Sequence, residues 1–507
     1  MIELPLLSLL IWVPVIGALT VLFFNGETKS GAARFIALMV VIITLVLCIP
    51  LYLNFDKNTP VFQFVEHVNW IAPFKINYDL GVDGISLPLI ILTCFTSLMI
   101  ILASWTMVRN KVAQYLAAFL LMQGMMIGVF AATDTMLFYF FWEGILIPMY
   151  LSIGMWGAEN RSYAAIKFFL YTFLGSALLL IAIIYLGLEN NSFDILHFYH
   201  YPMTMPIQFF IFFAFLLAFA IKVPMWPVHT WLPDAHTEAP AGGSVVLAAL
   251  MLKVGTYGFI RFSLPIVPDA CRALAWPMII LSLIAIVYIG FIAIVQTDMK
   301  KLIAYSSIAH MGFVTLGAFM IYIIVQKNVS LSDAYMSLEG AMVQMISHAF
   351  GAGAMFLAFG VLYQQLHTRM IHDFGGIATT MPIFSAFFMV FALSNVGLPG
   401  TSGFVGEFMI ILSTFKSSFW VTFFASSTLV IGAVYTLWMY RRVFYGEAVN
   451  PGIAYLKDVR GVDFIIFSLL TAAVIFFGVY PNAMLDLFHA SVDNILRLAL
   501  QSKLPIT

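Results

Sequence analysis

The sequence predicts an all-α polytopic membrane protein with about fourteen transmembrane helices, two of which are discontinuous and belong to inverted repeats. Of the 507 residues, 62% are hydrophobic and only 9% are charged, so lipid must solvate most of the chain. Apolar runs of about 18 residues or more recur along the whole sequence, which excludes a single large soluble core. Two of these runs contain clusters of proline and glycine that break a helix.

Apolar windows of about 20 residues define the individual spans. The first window has no basic start and no small-residue cleavage site, so it predicts a transmembrane helix rather than a removable signal peptide. The last window is followed by an amphipathic segment, residues 484–500, which predicts a helix lying at the membrane interface. The predicted spans are residues 3–23, 33–53, 85–106, 112–130, 133–154, 163–187, 206–223, 240–261, 273–295, 301–323, 337–362, 383–414, 419–444 and 464–480.

The distribution of charge bears on partners and on orientation. The formal net charge of −1 gives no reason to expect a nucleic-acid partner. If the N-terminus lies outside the cytoplasm, the odd-numbered loops are cytoplasmic, and they contain more of the 23 Lys and Arg residues than the even-numbered loops do. This bias predicts that both termini lie on the non-cytoplasmic side.

The cysteines predict no metal chemistry. Cys48, Cys94 and Cys271 are far apart in the sequence and show no CxxC spacing. The pattern therefore predicts neither a disulfide framework nor an iron–sulfur or zinc site.

The two interrupted spans are the strongest pointers to a transport site. The stretch FAIKVPMWPVHTWLPDAHTEAP, residues 219–240, places a lysine, three prolines within twelve residues and two histidines after an apolar run. The stretch FALSNVGLPGTSGFVGEF, residues 391–408, interrupts a span five helices later. Aligning the two stretches superposes Pro227 on Pro399, and an odd offset of five helices inverts one repeat relative to the other. Discontinuous helices at matching places in inverted repeats predict a transport site near the midplane of the membrane.

Six ionisable side chains lie near the centres of predicted spans or at the two breaks. A charged residue at the bilayer centre costs at least about 2.5 kcal/mol on insertion scales, so each one is a candidate functional residue. Their similar depth predicts a polar layer in the membrane plane rather than a pore along its normal. The six candidates are Glu143, Lys222, Lys253, His310, His348 and Glu407.

Lys222 lies at the first break, where carbonyls freed by the break must face protein or water. Water can therefore reach its side chain. A nearby carboxylate stabilises the protonated ammonium, so movement of Glu143 toward or away from Lys222 would control whether the lysine holds its proton. The two residues are predicted to act as a switch, and the alternative is a static buried pair that fixes helix packing.

Structural roles remain open for the other candidates as well. Lys253 would then bond a neighbouring carbonyl, and the two histidines would hydrogen-bond between helices, as is common in membrane bundles. Glu407 lies near a helix start, where a carboxylate can also cap the helix. Asp234 and Glu238 lie at the ends of short elements and are interpreted as loop or capping residues.

Several longer motifs resemble a known family. The runs are KVPMWPVHTWLPDAHTEAP, SVVLAALMLKVGTYGFIRF, FFWEGILIPMYLSIG, DMKKLIAYSSIAHMGFV and SGFVGEF. Together they resemble the antiporter-like membrane subunits of respiratory NADH:quinone oxidoreductase (complex I) and of Mrp-type cation/proton antiporters. The resemblance covers nearly the whole chain, and PDAHTEAP is highly specific. It is greatest to subunit M, because the chain is too short for the lateral helix of subunit L and has Glu407 where subunit N usually has lysine.

The resemblance implies a fold and a division of the chain. The family fold has fourteen helices, with helices four to eight and nine to thirteen forming two inverted five-helix repeats and breaks in helices seven and twelve. On this basis the expected segments are residues 1–110, 111–262, 263–446 and 447–507, the last containing one span and the amphipathic helix.

The resemblance also implies roles for the six candidates. It makes Glu143 the partner that modulates Lys222, Lys253 the central proton carrier, His310 and His348 relay groups, and Glu407 the terminal donor of the second half-channel. It implies a proton-translocating subunit without a redox centre of its own.

The rest of what the resemblance implies lies in other subunits. NADH, FMN, iron–sulfur clusters and quinone are expected in partner subunits, with antiporter-like subunits L and N as neighbours. The expected location is a bacterial cytoplasmic (inner) membrane with both termini on the periplasmic side.

Other functions remain open from the sequence. One alternative is an Mrp-type sodium or potassium/proton antiporter subunit, and a hydrogenase-complex homologue is another. A third, of a different class, is an electron carrier in which His310 and His348 ligate a haem, which a Soret band in the purified chain would reveal.

Overall fold

The computed structural model describes residues 4–448 and 450–505 as a bundle of helices, so the predicted start of the first span at residue 3 lies outside the described residues. Within these residues, twelve helical stretches are long and apolar enough to cross a membrane, and three shorter apolar helices accompany them. Helices predominate because backbone N–H and C=O groups in lipid must pair within their own segment. The predicted helical fold is confirmed, and each predicted span corresponds to a helix or to a pair of half-helices.

The N-terminal part adds an element that the sequence analysis does not assign. Strands β1 Gln63–Ile71 and β2 Ile76–Val82 form an antiparallel hairpin between the second and third helices, with Val68 opposite Tyr78. The carboxylate of Glu66 accepts a hydrogen bond from the backbone N–H of Leu7 at 2.8 Å, which ties the hairpin to the first helix. We call this end of the bundle the hairpin side. The elements are α1 Leu6–Leu22, α2 Ser30–Leu53, β1 Gln63–Ile71, β2 Ile76–Val82, α3 Ser86–Met107 and α4 Val112–Ala131.

The next part contains the first break, which separates α9 Met205–Lys222 from α10 Trp231–Glu238. Two other spans in this part are also irregular. The fifth span is interrupted at Ile145, because Pro148 has no N–H to donate to the carbonyl of Gly144. The eighth span contains two π-helical turns, Leu247–Met251 and Phe259–Ser263. The α-helices are α5 Thr135–Gly144, α6 Leu146–Trp156, α7 Arg161–Asn190, α8 Ile195–His200, α9 Met205–Lys222, α10 Trp231–Glu238, α11 Ala241–Val246, α12 Leu252–Gly258, α13 Leu264–Ile266 and α14 Pro268–Ala273.

The third part contains the second break. The chain leaves the first half of the twelfth span through Gly397, which adopts a left-handed conformation at φ +79°. A Cβ atom on Gly403 would lie 1.9 Å from the carbonyl oxygen of Ser394, so only glycine allows the second half to start there. The α-helices are α15 Ala275–Ile294, α16 Met299–Gln326, α17 Leu331–Leu366, α18 Ile377–Thr380, α19 Pro382–Val396, α20 Ser402–Phe415, α21 Phe419–Ser426 and α22 Thr428–Phe444.

The chain ends with α23 Val462–Val479 and α24 Asn482–Leu500, the second of which is the predicted amphipathic helix. The apolar face of α24 is buried on the hairpin side of the bundle, where Ser491 accepts a hydrogen bond from the N–H of Gly84 at 2.9 Å. Helix α24 therefore packs across the ends of other helices.

Helices α16 and α17 form the centre of the bundle. With 36 residues, α17 is about 54 Å long at 1.5 Å per residue, which exceeds the hydrocarbon thickness of about 30 Å. Glycine lets α20 approach it closely, since a Cβ atom on Gly406 would lie 2.6 Å from the backbone nitrogen of Gln344. This contact brings the second break against the middle of α17.

Candidate functional site

Lys253 lies at the centre of the eighth span and is fully buried. Its ammonium donates a hydrogen bond to the carbonyl of Ala248 at 2.7 Å, and its Nζ lies 2.7 Å from Nδ1 of His348 on α17. Ala248 belongs to the π-helical turn that precedes α12, where the wider backbone leaves this carbonyl accessible. Lys253 thus contacts both a fixed acceptor and a group that can take up a proton.

His310 and Glu407 form a second buried pair. Nδ1 of His310 on α16 lies 2.6 Å from Oε1 of Glu407 on α20. Gln344 donates a hydrogen bond to the same carboxylate oxygen at 3.0 Å. The carboxylate of Glu407 faces these side chains, and the capping role considered from the sequence does not apply, since Glu407 is the sixth residue of α20.

The two buried pairs meet at their histidines. The ring centroids of His310 and His348 are 5.7 Å apart, and the rings are tilted by 53°. Nε2 of each ring is buried and has no hydrogen-bond partner in the part of the chain that the structure describes. The structure therefore joins four of the six candidates, Lys253, His348, His310 and Glu407, into one row across α12, α17, α16 and α20. We call this row the central chain.

The remaining two candidates, Lys222 and Glu143, do not form a direct ion pair. Nζ of Lys222 is buried without a hydrogen-bond partner and lies 4.5 Å from the centroid of the Trp142 ring. Such a position gives the ammonium a cation–π contact. Glu143 follows Trp142 on α5 and is partly buried, and its Oε1 also has no partner. Their interaction is electrostatic, across more than hydrogen-bond distance.

Lys222 also lies against the helix of the central chain. It is the last residue of α9, where a positive charge interacts favourably with the helix dipole. A Cβ atom on Gly255 would lie 2.9 Å from Cβ of Lys222, so glycine allows α12 to pack directly on this end of α9. The first break therefore packs on α12 two residues from Lys253.

The chain matches two family models that together span most of its length. One, described as NADH:quinone oxidoreductase/Mrp antiporter, matches residues 132–432, and the other, NADH-ubiquinone oxidoreductase chain 4, amino terminus, matches residues 9–133. NADH-quinone oxidoreductase subunit M of Rickettsia bellii is 42% identical over 502 residues, which are 98% of this chain and 99% of the relative. The chain belongs to the subunit M family of NADH:quinone oxidoreductase.

Solved structures agree with the subunit M family fold. A chain of respiratory complex I from Thermus thermophilus with bound NADH is 27% identical, with a TM-score of 0.87, covering 98% of this chain and 100% of that one. A chain of the Mrp complex from Dietzia sp. shares the fold, with a TM-score of 0.84 at 17% identity, covering 99% of this chain and 100% of that one. All six candidates lie inside the longer family match.

His236 is a buried residue of this subunit M family member that the sequence analysis does not select. It lies on α10, stacks on Phe356 with ring centroids 4.4 Å apart, and has no hydrogen-bond partner among the described residues at either ring nitrogen. It lies within electrostatic range of Lys300 on one side and His348 on the other. The signal in the sequence is its place in PDAHTEAP, but only the structure shows that nothing satisfies its nitrogens.

A cavity of about 270 Å³ lies on the side opposite the hairpin. Its lining includes Glu238, Lys300, His367 and Arg369. Lys300 donates a hydrogen bond to the carbonyl of Ala239 at 2.5 Å, next to the end of α10. The cavity thus reaches the half-helix that carries His236.

Charged side chains hold the wall of this cavity together. Nε of Arg369 lies 2.8 Å from Asp298, and its Nη1 lies 3.3 Å from Glu238. Glu238 also accepts the backbone N–H of Asn160 at 2.8 Å at the start of α7, in agreement with its interpretation as a capping residue. Burial raises the pKa of Asp298, while the backbone N–H groups that it caps and the charge of Arg369 act in the opposite direction.

Asp234 has a different role from the one interpreted from the sequence. Its carboxylate accepts a hydrogen bond from Nζ of Lys167 at 2.7 Å, and both side chains are partly exposed. It therefore links α10 to α7 by an ion pair rather than capping a helix.

The cysteines and possible metal ligands give no further site. Sγ of Cys48 and Sγ of Cys94 are 3.5 Å apart, and both thiols are free. Within residues 4–448 and 450–505, no group of three or more His, Cys, Asp or Glu side chains is arranged to hold a metal ion.

Proposed function

We propose that this chain is a proton-translocating membrane-arm subunit of NADH:quinone oxidoreductase, driven by quinone reduction in other subunits. The observation that carries the proposal is the central chain: Lys253, His348, His310 and Glu407 lie in one buried row, with contacts of 2.7 Å and 2.6 Å at its two ends. Ionisable groups in the membrane interior are costly, so a row of them indicates a functional site such as a transport path.

The central chain supplies an order of proton transfer. The ammonium of Lys253 passes a proton to Nδ1 of His348, which is within hydrogen-bond distance. The proton then moves between the two rings, whose centroids are 5.7 Å apart and whose Nε2 atoms have no hydrogen-bond partner among the described residues, so bound water would carry it across. His310 delivers it to the carboxylate of Glu407, the terminal donor. Each step exchanges a proton between groups that accept and release it without leaving their helices.

Lys222 and Glu143 control when Lys253 receives its proton. An approach of the Glu143 carboxylate stabilises the protonated Lys222, and its withdrawal releases that proton. The packing of α9 on α12 through Gly255 transmits the change in charge to Lys253. Lys222 and Glu143 therefore act as a modulator of the central chain rather than as part of it.

Protons are taken up from the side opposite the hairpin. The cavity lined by Lys300 and Glu238 reaches the residues next to His236, whose ring nitrogens have no hydrogen-bond partner among the described residues. His236 then lies between this cavity and His348, so protons enter the central chain at the end formed by Lys253 and His348. If the loop charges orient the chain as expected, this side is the cytoplasm and both termini are periplasmic in a bacterial cytoplasmic membrane.

In the proposed function, this chain carries out no redox chemistry itself. NADH, FMN, iron–sulfur clusters and quinone belong to partner subunits, and the neighbours are the antiporter-like subunits L and N. The residues of this chain hold and move protons.

The test is Lys253→Met in the intact assembly. NADH oxidation with a hydrophilic acceptor reports assembly, and NADH-driven acidification of inverted vesicles with quinone reduction reports coupled transport. We expect the acceptor activity to persist while acidification and quinone reduction fall together by about tenfold or more. Undiminished acidification would contradict the proposal, and a sodium-dependent pH gradient without NADH would favour an Mrp-type antiporter instead.

Lys503→Met is the matched control. Lys503 is also a buried lysine, and its ammonium donates to the carbonyls of Phe198 and Ile266 at 2.8 Å and 3.1 Å. It lies on the hairpin side, away from the central chain. Its loss lowers stability but leaves the ratio of protons moved to NADH oxidised unchanged.

A further inference from the structure

An apolar groove of about 540 Å³ opens on the outside of the helix bundle. Side chains of α2, α3, α17, α23 and α24 line it, and nearly all of them are hydrocarbon or aromatic. We call it the α2–α23 groove. It is separate from the central chain and from the cavity near Lys300, so the proposed function does not use it.

The depth of the groove matches one leaflet of a bilayer. On α2 its lining runs from Leu45 to Leu53, which is about 12 Å at 1.5 Å per residue. Half of a hydrocarbon core is about 15 Å. Leu53 is at the hairpin-side end of α2, so the groove extends from the surface of the hairpin-side leaflet to near the bilayer centre.

A positive charge lies at the mouth of the groove. Nζ of Lys57 lies 5.6 Å from the ring centroid of Tyr52, which lines the groove and is 37% exposed. Among the described residues, the ion pairs of Lys and Arg side chains do not include Lys57. The adjacent carboxylate of Asp56 accepts hydrogen bonds from Asn58. An ammonium and a tyrosine hydroxyl at the level of the headgroups suit a phosphate.

The floor of the groove is the outer face of the helix that carries His348. Ile346 and Phe350 are four residues apart on α17 and line the groove, whereas His348 between them points about 200° away. Phe350 packs on Phe95 at 5.7 Å and on Phe477 at 5.3 Å between ring centroids. An occupant would therefore pack directly behind the central chain.

We propose that the α2–α23 groove holds one acyl chain of a phospholipid from the hairpin-side leaflet, with its phosphate bound by Lys57 and Tyr52. The end of the acyl chain contacts Ile346 and Phe350 and supports the middle of α17. The inference rests on the groove, its depth and the charge at its mouth, and it holds whether or not the chain translocates protons.

The test uses the intact assembly in nanodiscs of phosphatidylglycerol that contain a phosphatidylglycerol with a diazirine at the end of one acyl chain. After irradiation, mass spectrometry of peptides locates the label. We expect it to concentrate near Phe95, Ile346 and Phe350 rather than to spread over the other lipid-facing helices. Uniform labelling of all exposed helices would overturn the proposal. So would the absence of label from the groove because a neighbouring subunit covers it.

Two variants sharpen the test. Ile49→Trp fills the groove and should reduce labelling of Ile346 and Phe350 severalfold, while Ile42→Trp, on α2 but outside the groove, should not. Equal effects of the two substitutions would contradict the proposal.

Lys57→Gln tests the headgroup and lies in a surface loop, where it does not threaten folding. It should reduce labelling by the anionic lipid severalfold, but not labelling by a diacylglycerol probe that has no phosphate. Labelling that Lys57→Gln leaves unchanged would rule out this headgroup site. Displacement of the lipid probe by a long-chain quinone, but not by unlabelled phosphatidylglycerol, would assign the groove to a quinone instead.

Discussion

Nδ1 of His310 lies 2.6 Å from Oε1 of Glu407, although 97 residues separate them in the chain. Both side chains are almost fully buried, so the hydrogen bond between them is out of contact with bulk water. Gln344 donates to the same oxygen and holds the carboxylate in place. Removal of one member of such a pair leaves the other buried without its partner, which costs more than the pair contributes.

Glu407→Gln tests the terminal donor. The amide keeps the size and a hydrogen bond to His310 but cannot carry the transferred proton, so the assembly should remain intact. We expect NADH-driven acidification of inverted vesicles to fall by about tenfold or more, with acceptor activity retained. Glu407→Asp, which keeps the carboxylate, should retain part of the acidification. Equal activity of the Gln variant and the wild type would remove Glu407 from the path.

Glu143→Gln tests the switch at the first break. The substitution removes a charge that acts on Lys222 without a direct contact, so packing should change little. We expect acceptor activity to persist while quinone reduction and acidification fall together. Glu159→Gln, an exposed carboxylate in the loop after α6, is the matched control and should leave all three activities unchanged. Survival of both coupled activities in Glu143→Gln would leave the pair only a packing role.

His236→Phe separates a transport role from a structural one. Phenylalanine keeps the stacking on Phe356 and removes two buried nitrogens that have no hydrogen-bond partner among the described residues. The free energy of unfolding should therefore rise by about 1 kcal/mol. If His236 takes up protons, acidification falls severalfold in spite of this gain. A variant that is both more stable and fully active would show that His236 only fills space.

Asp134 should make stability depend on pH on the hairpin side. It caps α5 through the N–H groups of Met136 and Leu137 and accepts the N–H of Asn77 on β2. Burial raises the pKa of Asp134 to about 6, to which the charge of Asp79 adds, while these hydrogen bonds act in the opposite direction. Its folded pKa is therefore above its unfolded value, so its stabilising contribution is complete below about pH 4 and is lost as the pH rises through about 6.

The measurement is thermal unfolding of the purified chain in detergent across this pH range. A difference of about two pH units between the folded and unfolded pKa corresponds to roughly 3 kcal/mol, which the wild type should lose relative to Asp134→Asn. Asp486→Asn, at an exposed site on α24, should follow the wild type at every pH. Parallel curves for the wild type and Asp134→Asn would mean that Asp134 does not titrate in this range.

Much of the fold could be predicted from local properties of the sequence. The length of an apolar run and the positions of proline and glycine determine where a helix spans and where it breaks, so the spans and the breaks after Lys222 and Val396 are confirmed. The hairpin of β1 and β2 could not be found in this way. Its strands lie between two spans, and its position depends on distant contacts such as Glu66 with Leu7.

The candidate site was predictable as a set of residues but not as an arrangement. The cost of charge in lipid identifies each of the six candidates separately. The contact of Lys253 with His348 depends on how α12 crosses α17, and the isolation of His236 depends on a ring supplied by Phe356. A single sequence contains no direct record of such crossings. The roles of the six residues and the segment boundaries remain predictions.

The two acceptors around Lys253 differ in kind. The carbonyl of Ala248 can hold the ammonium but cannot take its proton, whereas the imidazole of His348 can. A side chain that is anchored on one side and paired with a base on the other has a single partner for proton exchange in this geometry. A one-way step would then need no moving lysine, only a change in the relative basicity of two fixed neighbours.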